Sequence, residues 1–262
     1  MKNERFIFGT NWEKFLRLVD EDKIKDAEES LRIMLAEKDL AGKSFLDAGC
    51  GSGLFSLAAK RLGARVFSFD DDPHCVACTL ELKKRAYPDS PDWEIRQGSV
   101  LDECFLNSLG KYDVVYSWGV LYHTGDMKRA IILMANQVKA HGILFISIAN
   151  NQGVASQGWL RIKILYNTLP SFLRFFLVLA MASIFETKAF VGRLISGKNP
   201  LRKERGMSVW HDWVDWCGGY PFEVAKPEDI IVPLRARGFI LENLKTCLSG
   251  WGCNEYVFRC MD

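Results

Sequence analysis

Apolar and polar positions change their period along this chain. From Ser44 onward, short apolar runs alternate with stretches of 3.6-residue spacing, the pattern of a parallel sheet covered by helices. The strand-like runs are SFLDAG (Ser44–Gly49), ARVFSFD (Ala64–Asp70), WEIRQG (Trp93–Gly98), YDVVYS (Tyr112–Ser117) and GILFISIA (Gly142–Ala149). Helical spacing over Leu54–Leu62, Pro73–Arg85 and Met127–Ala140 separates them. A further helix opens at Pro227 and stops at Gly238, the usual placement of proline inside a helix start and glycine past its end. FILENLKTC (Phe239–Cys247) and NEYVFRC (Asn254–Cys260) then predict an antiparallel pair. Before Ser44, WEKFLRLVD and IKDAEESLRIML both carry helical spacing. The pattern divides the chain into an N-terminal helical segment (1–43), an α/β half (44–150), a helical insertion and cap (151–223) and a C-terminal helix with two strands (224–262).

Composition adds little to that picture, but charge does. The 262 residues are 48% hydrophobic and 25% charged, which suits one large globular domain with an insertion. The net charge of +2 is unevenly spread: residues 151–206 hold nine Lys/Arg against two acids, a net of +7, and the remainder carries −5. Aromatic residues of the insertion lie within apolar runs rather than alternating with Lys/Arg, which argues against nucleic acid. A basic, aliphatic insertion suits either a lid over a pocket or peripheral contact with an anionic membrane. Its longest apolar run, Phe175 to Phe185, has eleven residues, against about 20 needed to span a bilayer. The first residues hold no apolar stretch of signal-peptide length, and the eight cysteines read as reduced thiols, so a cytoplasmic, optionally membrane-peripheral, location is expected. Cys75 and Cys78 form a CxxC inside a predicted helix without a second pair, so they are expected as buried thiols and no metal is expected.

The sharpest chemical signal is FLDAGCGSG, Phe45 to Gly53. A strand ends at Asp47, and Gly49, Gly51 and Gly53 precede a helix opening at Leu54. Glycines let the backbone turn tightly and approach a ligand, and the helix N-terminus offers N–H groups. Asp70 ends the next strand, where a ribose-binding carboxylate belongs. The glycines run GxGxG rather than GxGxxG, and an acid precedes them; a carboxylate there suits a cationic ligand and would repel a pyrophosphate.

This D-x-G-x-G-x-G loop at the end of a first strand resembles class I S-adenosylmethionine-dependent methyltransferases. The resemblance runs from about residue 40 to the C-terminus. It implies an α/β, Rossmann-like seven-stranded sheet with the last strand antiparallel and helices on both faces. It also implies S-adenosyl-L-methionine as cofactor and S-adenosyl-L-homocysteine as product. Carried over, Asp47, Gly49, Gly51 and Gly53 line the methionine and ribose moieties, and Asp70 binds the ribose hydroxyls. QGSVLD matches the segment that frames adenine; Ser99 stands where an acid is common, so the contact falls to Ser99, to the backbone of Val100 or to Asp102. Ser117, Trp118, Gly119 and Val120, in YDVVYSWGVLYHTGD, lie beside the transferable methyl. SWGVLYHT is similar to the small-molecule branch near the ubiquinone-biosynthesis O-methyltransferases, which implies a small-molecule, sugar or lipid-linked acceptor and O-methylation.

O-methylation gains from a base. His123 lies in the loop after the fourth strand, and His211 in MSVWHDWVDWCGGYPFE (Met207–Glu223). Helical spacing puts Trp210, Trp213 and Cys217 on one face of that stretch and His211 with Asp215 on another, Asp212 adjacent. The expected acceptor wall is therefore Tyr122, Arg205, Trp210, Asp212, Tyr220 and Glu223, with His123 and His211 as candidate bases. Two alternatives stand beside this expectation: a tRNA or rRNA methyltransferase using the basic insertion, and a non-catalytic S-adenosylmethionine-binding scaffold.

Overall fold

The computed structural model describes residue 6 and residues 19–195, 209–248 and 252–261; the side chains of residues 188–195, 209, 211 and 212 are not described. The expected helix over WEKFLRLVD and the expected site residue Arg205 lie outside the described residues. The chain divides into two units, Met1–Phe6 with Val154–Tyr220, and Ile7–Gly153 with Pro221–Asp262.

The larger unit opens with α1 (Glu21–Leu35), capped by the Asp20 carboxylate, which accepts from the Lys23 amide. There follow β1 (Ser44–Ala48), α2 (Leu54–Arg61), β2 (Arg65–Asp70), α3 (Pro73–Ala86), β3 (Trp93–Gln97), α4 (Glu103–Leu109), β4 (Tyr112–Trp118), α5 (Met127–Asn136) and β5 (Val138–Ala149). After residues of the other unit come a helix, Pro227–Arg235, and two strands, Phe239–Lys245 and Cys253–Cys260. The strands form one seven-stranded sheet. The first five pair in parallel in the order 3-2-1-4-5. Cys253–Cys260 inserts antiparallel between β5 and Phe239–Lys245.

Alternation along the strands feeds two cores. Leu46, Phe69, Val115, Ile146 and Phe258 point to the face covered by α4, α5 and the Pro227–Arg235 helix. Phe45, Val66, Val114, Phe145 and Val257 point to the face covered by α1, α2 and α3. The Rossmann-like sheet with helices on both faces is thus present as expected. One expectation needs correction. Helical spacing was read through Met127–Ala140, but α5 stops at Asn136 and residues from Val138 extend β5 to twelve residues. Tyr112 pairs with Val138 through a register shift, and this pairing captures the segment that local spacing assigns to helix. The short helix α4 was not anticipated. Asp102 starts it by accepting from the Phe105 amide.

The smaller unit holds α6 (Val154–Thr168), α7 (Ser171–Ile195) and α8 (Val209–Gly218). Tyr166, Val178 and Cys217 form its buried centre, with Leu177, Met181, Trp210 and Trp213 packed against it. Trp213 stacks on Phe185 at 5.5 Å, and Trp210 meets Phe175 at 5.1 Å. The Pro227–Arg235 helix of the larger unit is α9, and its last two strands are β6 (Phe239–Lys245) and β7 (Cys253–Cys260).

Candidate functional site

Asp47, Asp70, Ser117 and the glycine loop gather where parallel strands β1, β2 and β4 end. That is the edge at which open α/β sheets bind ligands. The loop is tied back to β2: the amides of Gly49 and Cys50 both donate to the Phe69 carbonyl, at 2.8 and 3.1 Å. Gly49 has φ +86°, and a Cβ there would lie 2.3 Å from Val120 Cγ2, so both conformation and space require glycine. Gly53, at φ +81°, is the N-cap of α2 and supplies no side-chain cap.

Asp70 is held by the backbone on both carboxylate oxygens. Oδ2 accepts from the Gly51 amide at 3.0 Å, and Oδ1 accepts from the Asp72 amide at 3.0 Å. Burial raises its pKa, against the lowering effect of those two amides. Its orientation is therefore set before any ligand arrives.

Asp47 sits deeper, 2% exposed. Its Oδ2 accepts from the Ser56 hydroxyl on α2. Burial pushes its pKa up to about 7, with the Asp70 charge raising it further and the Ser56 hydroxyl opposing. Asp47, expected beside the ligand, is bonded through its carboxylate to Ser56 in the first turn of α2.

Ser117 is fully buried, and its hydroxyl donates to the Ala48 carbonyl at 2.8 Å, so it braces β4 against β1. Trp118 is half-buried beside the α1–α3 core. Ser99 Oγ accepts from the Leu101 amide at 3.4 Å, and Val100 is buried in the opposite core. Asp102 is occupied as the cap of α4.

His123 lies at the end of a single turn of 3-10 helix, Leu121–His123, after β4. Its Nδ1 is 2.6 Å from the Pro221 carbonyl. A carbonyl only accepts, so Nδ1 carries the hydrogen and Nε2 carries the lone pair of the neutral ring. Tyr122 packs on the His123 ring at 4.3 Å, and its carbonyl accepts from the Glu223 amide at 2.9 Å. The Tyr122 hydroxyl accepts from the Cys253 thiol at 3.3 Å. Glu223 Oε2 accepts from the Met127 amide, where α5 begins, and burial raises its pKa. Glu223 therefore holds the start of a helix, and its carboxylate also favours the helix dipole.

Of the remaining candidates, Trp210 and Tyr220 belong to the smaller unit. Trp210 packs within that unit's core, and the Tyr220 carbonyl accepts from the Phe6 amide at 3.0 Å. The backbone of residues 211 and 212 lies in α8; the His211 and Asp212 side chains are outside the described residues. The sequence passes over three residues that contact the site: Ser56, Ser68 and Thr79. The Thr79 hydroxyl lies 3.3 Å from both Cys50 Sγ and the Gly51 carbonyl. A serine inside the apolar run RVFSFD was the available signal, since a buried hydroxyl needs a partner.

The sheet order and antiparallel β7 define the Rossmann-like fold of methyltransferases. The family model described as Methyltransferase domain matches residues 21–186, more than half of the chain, and the chain belongs to that family. A ubiquinone biosynthesis O-methyltransferase from Xanthomonas oryzae pv. oryzae is 33% identical over 120 residues, covering 46% of this chain and 48% of that protein. The chain thus matches about half the length of such curated relatives. Among solved structures, the magnesium protoporphyrin IX methyltransferase of Synechocystis PCC 6803 with bound S-adenosylhomocysteine aligns with a TM-score of 0.56 and 18% identity. It covers 96% of this chain and 94% of its own. The N-methyltransferase NodS of Bradyrhizobium japonicum WM9, also with S-adenosylhomocysteine, aligns with a TM-score of 0.55 and 14% identity, covering 98% and 100%.

Proposed function

We propose that this chain is an S-adenosyl-L-methionine-dependent methyltransferase that O-methylates a small-molecule or lipid-linked acceptor. The observation that carries this reading is Asp70, fixed through both oxygens at the end of β2 and bonded to the amide of Gly51 in the glycine loop. A carboxylate so held suits the paired hydroxyls of a ribose. The donor set also fits the cofactor's charge. Residues 47–53 and 70–72 contain four acids, Asp47, Asp70, Asp71 and Asp72, and no Lys or Arg, which favours a cation over a pyrophosphate.

S-adenosyl-L-methionine supplies an electrophilic methyl group and leaves as S-adenosyl-L-homocysteine. The chain's own work is to position and to move one proton. Gly49 to Gly53 and Asp70 hold the cofactor, with Ser99 and Val100 at the adenine end. Pro221 fixes the His123 tautomer so that Nε2 takes the acceptor's hydroxyl proton as its oxygen bonds to the methyl carbon. General-base assistance of this kind is worth about 10²–10⁴-fold.

The lipid-linked option draws support from α7. Phe172, Phe176 and Leu179 recur at i, i+4 and i+7 and are exposed, as are Phe175 and Ile184. Among the described residues no helix is long and apolar enough to cross a membrane. An apolar outer face within a sequence stretch of net +7 suits an anionic bilayer surface. The test of the function is transfer of labelled methyl from the cofactor to separate pools of polar metabolites, lipid extract and RNA. Label in the metabolite or lipid pool is expected; label in RNA alone overturns the reading.

A further inference from the structure

Behind the glycine loop runs a buried file of hydrogen bonds that the proposed reaction does not use directly. In-register pairing places Asp47 of β1 beside Ser68 of β2, and Trp93 of β3 beside Val66. Alternation sends Asp47 and Ser68 to the same face, beneath α2. There the Trp93 indole nitrogen lies 2.9 Å from Ser68 Oγ, Ser68 Oγ lies 2.7 Å from Ser56 Oγ, and Ser56 Oγ meets Asp47 Oδ2. Trp93, Ser68 and Ser56 are fully buried.

With Asp47 ionised, the chemistry at the two ends fixes the direction of the whole file. An indole N–H only donates, so Ser68 accepts from Trp93. The Ser68 hydrogen is then available for Ser56, whose own hydrogen goes to the carboxylate. The bond between the two serines, ambiguous by itself, runs from Ser68 to Ser56. Three donors in series all point at Asp47, an arrangement in which each bond strengthens the next. The Ser56 hydroxyl thereby ties the Asp47 carboxylate to the first turn of α2, whose N-cap Gly53 offers no side chain.

We propose that Ser56, Ser68 and Trp93 are positioning residues that keep the Asp47 carboxylate ionised and aimed at the start of α2, so that the glycine loop is held in its ligand-ready form. This rests on the reading of that loop as the S-adenosyl-L-methionine site. Asp47 then acts as an anion beneath the cofactor's positive charge and as the anchor of the loop. The opposing influences are local. Burial disfavours the carboxylate, as does the charge of Asp70 on β2, while Cys50 of the loop and Tyr116 of β4 also face Asp47 and have raised pKa values for the same reason of burial. With its pKa near 7, Asp47 is the group in this network whose charge changes between pH 6 and 8.

The test compares wild type with Ser56→Ala, Ser68→Ala and Trp93→Phe. S-adenosylhomocysteine affinity is measured by calorimetry from pH 6 to 9. Ser56→Ala removes a hydrogen bond to the carboxylate and raises its pKa by about one unit; Ser68→Ala and Trp93→Phe act through Ser56 and raise it by less. Wild-type affinity rises through about pH 7, and the variants follow a profile displaced to higher pH. Ser56→Ala binds about fivefold more weakly at pH 7, the other two variants lose less, and all three lie within about twofold of wild type at pH 9. Asp47→Asn flattens the profile. Thermal stability without ligand gives a second readout. A carboxyl with a folded pKa above its unfolded value near 3.8 contributes stability at low pH that is lost as pH rises toward about 7. In the variants that loss extends to higher pH. Profiles that coincide with wild type, or affinity losses equal at every pH, overturn the proposal. A stability shift without any wild-type binding of S-adenosylhomocysteine keeps the network and overturns the cofactor reading.

Discussion

Gly49→Ala probes the tightest point of the loop. The added Cβ enters at φ +86°, and it would lie 2.3 and 2.7 Å from the two methyl carbons of Val120. The left-handed backbone costs an L-residue about 1–2 kcal/mol. Val120 is β-branched and packed against the core, so its methyls have little room to rotate away. Overpacking of this kind adds about 1–3 kcal/mol. The total is about 2–5 kcal/mol, or roughly 10 °C in Tm for a domain of this size. Gly42→Ala is the control: its φ is +75°, and nothing lies within 4 Å of an added Cβ, so it incurs the backbone cost alone. Scanning calorimetry should therefore rank Gly49→Ala well below Gly42→Ala. Adding Val120→Ala to Gly49→Ala should recover part of the difference, a coupling expected of side chains in contact. Equal Tm values for the two glycine variants would refute the close approach of the loop to Val120.

Two further outcomes are expected. His123→Ala should lower kcat by about 10²–10⁴-fold while S-adenosylhomocysteine affinity stays within about twofold of wild type; an unchanged kcat removes His123 from the chemistry. Phe172→Asp/Phe176→Asp should abolish co-sedimentation with phosphatidylglycerol vesicles, and wild-type binding should weaken as salt is raised; equal binding by the variant overturns membrane contact through α7.

Most of the sheet was legible because each strand is a short apolar run bounded by glycine or an acid, and the glycine loop because Asp47, Gly49, Gly51, Gly53 and Asp70 keep a fixed spacing. What was not legible depends on pairing between distant segments. Residues 138–140 continue the spacing of α5, and only their pairing with β4 makes them strand. No local pattern shows that the Asp47 carboxylate accepts from Ser56, nine residues on. Nor does any local pattern show that the Glu223 carboxylate receives the Met127 amide, 96 residues earlier in the chain. The His123 tautomer likewise depends on the Pro221 carbonyl, which no local pattern connects to it.

The central claim is that the glycine loop and Asp70 form a site for the methyl donor. Its most direct measurement is calorimetric titration of S-adenosylhomocysteine into wild type and Asp70→Ala. Wild type should bind one molecule per chain, and Asp70→Ala should bind about tenfold more weakly or worse, as expected for loss of charge-assisted hydrogen bonds. No binding by wild type, or equal binding by Asp70→Ala, would contradict it.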